Sequence, residues 1–223
     1  MTARVLRLVA FCCALFVAAP ALANDRAEAQ AIVDGATTTV RNFYSDPDLT
    51  WFRNNAHKAK ALLVVPKLVK GGFFLGGSGG SGVLLAKNEA VAGGWSYPAF
   101  YTLGSVTFGL QLGGEVSEVI LIVLTQKGLD ALLSRSFKVG GDVSVAAGPV
   151  GTGAKAQSAD IIAFSRSKGL YGGVNVEGAL VETRDDWNAA YYGRAVRPLD
   201  VLINGKAANA AADPLREELS RRQ

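Results

Sequence analysis

The chain has 223 residues, 49% hydrophobic and 19% charged, with a formal net charge of +4, one histidine and two cysteines. That length buries one sizeable core, no linker marks a second domain, and so mild a charge lends no support to a nucleic-acid partner. Both cysteines, Cys12 and Cys13, lie in an apolar N-terminal run, which excludes a disulfide scaffold, a thiolate nucleophile and a cysteine metal site from the body of the protein.

The N-terminus carries Arg4 and Arg7, then an apolar run from Leu8 to Ala19 that is short for a bilayer span, then the small-x-small triplet Ala21-Leu22-Ala23. Residues 1–23 therefore read as a signal peptide, with a folded body over 24–205 and a charged tail over 206–223. Losing Arg4 and Arg7 lowers the net charge to +2. Phe11 precedes Cys12 where lipid attachment needs a small residue.

Asn24 or Asp25 is placed to cap a first helix, with Glu28 answering it. Ile32, Ala36, Val40 and Phe43 continue that helix as an apolar stripe. Ser45-Asp46-Pro47-Asp48 stops it and caps a second, which carries Trp51, Phe52 and Asn55. Ala61-Leu62-Leu63-Val64-Val65 reads as a buried strand ending at Pro66. Val106, Phe108, Leu110 and Leu112 alternate with Ser105, Thr107, Gly109 and Gln111, which predicts a strand with one covered face. The apolar run from Val119 to Leu124 predicts a strand covered on both faces. A short helix over 129–133, strands over 142–147, 160–165 and 170–181, and a helix over 187–192 follow. Leu199 to Ile203 reads as a last strand, and the tail from Ala207 as a frayed helix or disorder.

Of the 26 glycines, 13 lie between Gly71 and Gly114 and 9 between Gly140 and Gly178. Glycine weakens a strand unless backbones approach closely, bend sharply or meet a ligand. The expected fold is α+β: an antiparallel, barrel-like sheet of glycine-rich strands, flanked by N-terminal helices and further short helices.

Enzyme motifs fail one by one. Gly76-Gly77-Ser78-Gly79-Gly80 matches the serine-hydrolase pattern, but it sits in a glycine-rich run, and the sole histidine, His57, precedes it. Gly148-Pro149-Val150-Gly151-Thr152-Gly153-Ala154-Lys155-Ala156 approaches a phosphate-binding loop, yet Ala154 separates the last glycine from the lysine, and Ala156 replaces the magnesium-binding hydroxyl. His57 alone builds no zinc site. Asp185 and Asp186 are adjacent and suit a helix start better than a carboxylate pair. No catalytic residue, metal site or cofactor emerges.

One constellation remains. Arg41, Arg53, Lys58, Lys60, Lys67 and Lys70 face only two acids between them, Asp46 and Asp48, with Phe43, Trp51 and Phe52 interleaved. Cations beside interfacial aromatics suit an anionic bilayer surface. An ordinary helix with a solvated basic face has the same pattern.

The segment from Ala59-Lys60-Ala61-Leu62-Leu63-Val64-Val65-Pro66 through Lys70-Gly71-Gly72-Phe73 to Gly82 resembles the SYLF-domain family of lipid-binding proteins. So do Trp95-Ser96-Tyr97-Pro98-Ala99-Phe100, Gly109 to Glu115, Gly148-Pro149-Val150-Gly151, Ser165-Arg166-Ser167-Lys168-Gly169-Leu170 and Tyr192-Gly193. The resemblance, to a bacterial exported member, implies phospholipid head-group binding and no catalytic residues. Phosphoinositide and actin binding belong to eukaryotic members and are not carried over.

The reading that follows is non-catalytic binding of anionic phospholipids at a cell-envelope membrane, in the periplasm or peripheral to a membrane. Arg53, Lys58, Lys60, Lys67 and Lys70 would attract phosphates, Trp51 and Phe52 would reach the interface, and Lys155, Arg166 and Lys168 would add secondary phosphate contacts. The alternatives are a structural outer-membrane barrel and a hydrolase using Ser78. Protein partners are left open.

Overall fold

The structure, a computed structural model, describes residues 3–221 except 73–74, 90, 92, 109–112, 149–158, 168–169 and 173–177, with backbone alone at 3–23, 72, 75, 107–108, 113 and 170–172. Six α-helices are described: α1 (Ala3–Ser45), α2 (Thr50–Asn55), α3 (Gln126–Leu133), α4 (Asp185–Tyr192), α5 (Pro198–Leu202) and α6 (Asp213–Ser220). The strands are β1 (Ala61–Gly72), β2 (Leu75–Ala86), β3 (Ala99–Phe108), β4 (Gly113–Val123), β5 (Ser136–Lys138), β6 (Val145–Ala147), β7 (Ile161–Ser167), β8 (Leu170–Gly172) and β9 (Leu180–Thr183). They form one curled sheet in the order β5-β9-β3-β2-β1-β4-β7-β6, with β8 on β7. Among the described strands, β6 and β7 are the one parallel pair. The fold is α+β.

The strand segments 61–65, 83–86, 119–123 and 161–164 are apolar without interruption because both faces of the sheet are covered there. Successive residues divide between two cores with the strand period of two. Leu62, Val64, Val83, Phe100, Ile120 and Phe164 face α1, α2, α4 and α6. Leu63, Val65, Leu84, Tyr101, Leu121 and Ile161 face α3, β5 and α5. A membrane-spanning barrel instead needs a closed sheet with an apolar outer wall. The described strands form an open path with helices on both sides.

β1 does not end at Pro66. One extra residue is accommodated between Val64 and Val69 against β2, and between Val65 and Leu68 against β4. Proline lacks the N–H that a ladder uses, so it is tolerated at this bulge. The bulge presses β1 onto β2. A Cβ on Gly80 would lie 2.5 Å from the Lys67 carbonyl oxygen, and one on Gly82 2.4 Å from that of Val64. These two glycines are required by close backbone approach.

Four other expectations are corrected. The first helix does not begin at Asn24: α1 runs through that point, and the Asn24 amide donates to Glu28 one turn on, at 2.7 Å. Its buried face is Ala29, Val33, Ala36, Val40 and Phe43, with Ile32 half-buried. Val106 is not on a covered face but 71% exposed, and 109–112 lie outside the described residues. Residues 199–203 are largely helix α5, because Pro198 occupies its first turn, where no N–H is needed.

The tail is not frayed. α6 buries Leu215 and Leu219, which share one face at a spacing of four. Its Glu218 accepts from Arg41 of α1 at 3.0 Å, and Arg216 lies 4.1 Å over the Tyr97 ring while donating to the Trp95 carbonyl at 3.0 Å. Leu215→Ala is expected to cost about 3 kcal/mol as a core truncation, lowering the melting temperature by roughly 6–12 °C. A melting curve unchanged by this substitution would show that α6 is not part of the folded body.

Candidate functional site

The residues between α1 and β2 were the main candidates, and the fold distributes them unevenly. The Phe52 ring is fully buried and meets Phe43, Tyr44 and Phe164 edge-on at 5.1–5.6 Å between centroids. It belongs to the core and does not reach an interface. Trp51, one residue earlier, is half-buried and stacks on Phe164 at 5.7 Å. Arg53 is spent on its own turn: its guanidinium donates to the carbonyl oxygens of Asp46 and Pro47 and, at 2.9 Å, to the Thr50 hydroxyl.

The lysines stand apart from these internal roles. Lys58, Lys60 and Lys67 are exposed and Lys70 is half-buried. The Lys58 ammonium donates to the Asn55 side chain at 2.9 Å. Among the described residues none of the four makes an ion pair. They do not form one patch, however. Lys60 immediately precedes β1 and Lys70 lies ten residues further on within it, about 33 Å at the strand rise. Lys60 instead faces Lys87, whose backbone N–H donates to the Lys60 carbonyl at 2.8 Å and whose ammonium donates to the His57 carbonyl. Lys87 escaped the sequence reading because only strand register brings it there. Lys70 lies opposite Glu115 of β4 and Ser78 of β2.

Arg166 is not available to a phosphate. Its guanidinium bridges Asp46, at 2.8 Å, and Glu118, at 3.1 Å. Burial lowers its pKa, but hydrogen bonds and attraction from the two carboxylates outweigh that and raise it. Glu118 also accepts from Thr39 at 3.1 Å and Asn42 at 2.8 Å on α1. This cluster ties the end of α1 to β4 and β7, and it replaces the proposed secondary contact at Arg166. Lys155 and Lys168 lie outside the described residues.

Ser78 lies within β2, its hydroxyl 2.8 Å from that of Ser105 on β3. A hydrolase nucleophile of this motif occupies a sharp strand-to-helix turn, which a mid-strand position does not provide. Asp185 and Asp186 form the first turn of α4 and diverge. Asp186 takes two hydrogen bonds from Arg184, which hold its carboxyl below the usual range, and Asp185 pairs with Arg135 at 3.5 Å.

Together these features define an α+β domain built on a glycine-rich sheet, with Lys58, Lys60, Lys67 and Lys70 making no ion pair among the described residues. The family described as Ysc84, Las17-binding protein actin regulator, matches residues 104–222. LAS seventeen-binding protein 3 of Saccharomyces cerevisiae is 34% identical over 169 residues, covering 71% of this chain and 36% of its own. SH3 domain-containing YSC84-like protein 1 of Homo sapiens is 30% identical over 168 residues, covering 73% of this chain and 48% of its own, and its Bos taurus counterpart matches to the same extent. The chain thus spans about a third to a half of the length of these curated relatives. It belongs to the SYLF (Ysc84) domain family.

Proposed function

We propose that this domain binds anionic phospholipid surfaces without catalysing a reaction, and that it does so in the cell envelope once residues 1–23 are removed. The observation that supports this most is the division of labour among its cations. Arg41, Arg53 and Arg166 are used inside the fold, whereas Lys58, Lys60, Lys67 and Lys70 make no ion pair among the described residues. Free lysines near an anionic bilayer contribute about 1 kcal/mol each. The basic start, short apolar run and Ala21-Leu22-Ala23 support export.

The test is co-sedimentation with phosphatidylglycerol or cardiolipin vesicles over a salt series. Binding is expected to weaken as salt rises. The two lysine groups are too far apart to share one small contact, so Lys58→Glu with Lys60→Glu is compared with Lys67→Glu and Lys70→Glu. The pair nearer the bilayer is expected to cost at least tenfold in affinity, about 1.4 kcal/mol, with the fold intact. If both double variants fold and bind as the wild type does, the lysines are only a solvated face.

A second reading draws on the family's description as an actin regulator and on a relative named for binding Las17. It makes this domain a protein-binding module. Sedimentation with actin filaments, together with no retention on anionic vesicles, would favour it.

A further inference from the structure

Six large hydrophobic side chains are exposed among the described residues, and four of them, Val69, Val106, Val116 and Leu180, fall on one face of the sheet. The register shows this directly. Val116, Val69, Gly79, Gly104 and Leu180 are successive cross-strand partners over β4, β1, β2, β3 and β9. Val106 lies two residues beyond Gly104 on β3, across from Gly77, which in turn pairs with Gly71. The period of two puts all these positions on the side of Phe100 and Ile120, the face that α1 covers.

They lie past the helical cover. On β4 the contact with α1 is at Glu118, two residues short of Val116. On β1, Gly35 of α1 sits over Pro66, three residues short of Val69. Three of the glycines here differ from Gly80 and Gly82, whereas a Cβ at Gly77 would lie 3.2 Å from the Ser105 carbonyl oxygen. A Cβ at Gly71 or Gly79 would meet nothing within 4 Å, and at Gly104 the nearest atom would be 3.9 Å away. None of the three has a positive φ. Neither packing nor backbone conformation asks for glycine at these positions. A depression of about 480 Å³ opens over Gly104, walled by Thr102, Val106, Leu180 and Glu182. In the neighbouring cross-strand row the side chains of Glu115, Lys70, Ser78 and Ser105 point to the opposite face, so this end of the sheet is polar on one side and, over Val116, Val69, Val106 and Leu180, apolar on the other, with Thr102 and the exposed Glu182 at its edge.

We infer that this glycine–valine face is the surface that rests against the bilayer, with Val69, Val106, Val116 and Leu180 entering the boundary between head groups and acyl chains. The inference rests on the phospholipid reading above and specifies where the apolar contact lies. Area decides between a membrane and a second copy of the chain. Five strands and two same-face rows, each about 7 Å deep, make a patch of roughly 24 by 14 Å, about 340 Å², well short of the ~800 Å² per partner of a stable interface. An amphipathic surface lying in the bilayer interface needs no such complementary area, and bare glycines let it lie flush. Lys138, exposed and next to Leu180 in the same row, supplies a cation at the margin. Lys67 stands two residues before Val69 on β1, at the margin of this face, whereas Lys70 points to the opposite side, so of that pair Lys67 is expected to carry the effect.

The test is Val106→Asp combined with Val116→Asp, measured on phosphatidylglycerol vesicles beside the wild type. Both sites are exposed, so the melting temperature is expected to stay within a few degrees. Affinity is expected to fall at least tenfold, from lost apolar insertion and added repulsion together, whereas an uncharged polar pair is expected to weaken binding with the salt dependence unchanged, unlike lysine reversal. Val106→Ser with Val116→Ser provides a milder pair should the aspartates unfold the sheet, with a smaller loss expected. Wild type that binds, beside folded variants that bind equally well, overturns the inference while leaving the phospholipid reading intact. Wild type that does not bind anionic vesicles overturns both. A concentration-dependent dimer in sedimentation velocity that the aspartates abolish, with vesicle binding unaffected, would assign the face to a second copy and also overturn the inference.

Discussion

Gly148→Val is expected to lower the melting temperature by roughly 6–12 °C, corresponding to about 3 kcal/mol. Even the first added atom has nowhere to go: a Cβ at Gly148 would lie 2.2 Å from Cε1 and 2.3 Å from Cδ1 of Phe164. The ring cannot step aside, because Phe164 is fully buried, stacked on Trp51 and edge-on to Phe52. Nor can the glycine retreat easily, since its N–H donates to the Ala163 carbonyl at 2.6 Å. The damage is to the core between β7 and α2, far along the chain from Val69 and Val116. A thermal melt decides the matter. An unchanged melting curve would mean that the Gly148 backbone does not pack on Phe164. Gly148→Ala should act in the same direction with a smaller effect.

The second large effect is expected at Arg166. Removing a guanidinium that bridges two carboxylates leaves both without their partner, and a broken buried pair costs about 3–5 kcal/mol. Arg166 retains 22% side-chain exposure and Glu118 21%, so water recovers part of the loss and about 3 kcal/mol is the expected value. Asp46, only 5% exposed, contributes most of the penalty. The Arg166→Met variant should therefore be clearly destabilised in denaturant unfolding. Adding Asp46→Asn and Glu118→Gln should restore part of the stability, because the stranded charges are then gone. If Arg166→Met unfolds like the wild type but loses vesicle binding, the arginine is a ligand contact and the clasp is not what holds it.

The sequence disclosed the centre of this molecule better than its margins, and particular residues explain why. Val119 to Val123 is apolar throughout, and it proves to be the strand covered on both faces, because continuous hydrophobicity is what double cover demands. Pro66 was misleading: a proline stops a regular strand, but a bulge is a tertiary accommodation that no local pattern records. The alternation through Val106 predicted a covered apolar face, yet Val106 is 71% exposed, because a period of two records which residues share a face and not what packs on it. α6 was hidden because the charges of Arg216, Glu217 and Glu218 obscured Leu215 and Leu219 at a spacing of four.

The site followed the same logic. Trp51 and Phe52 are adjacent aromatics on one short helix, and composition cannot say which of them points inward. Packing buries Phe52 and leaves Trp51 half-covered. The partners that remove Arg166 from consideration lie 120 and 48 residues away in the chain. Lys58, Lys60 and Lys67 lie at the surface and Lys70 half-buried, as expected of a strongly hydrated ammonium on a flexible stem. The glycines carried two messages that the sequence could not separate. Gly80 and Gly82 answer to backbone crowding, while Gly71 and Gly79 open onto free space.

The most direct measurement is tryptophan fluorescence of Val106→Trp on anionic vesicles made with acyl-chain-brominated lipid. Trp95 and Trp187 are buried and Trp51 is half-covered by Phe164, so the difference from wild type reports the new side chain. The expected result is strong bromine quenching and a blue shift on phosphatidylglycerol vesicles, with neither on neutral phosphatidylcholine vesicles. Protein that sediments with the anionic vesicles but shows no added quenching at position 106 would contradict contact through the glycine–valine face, and protein that sediments with neither vesicle would contradict phospholipid binding itself.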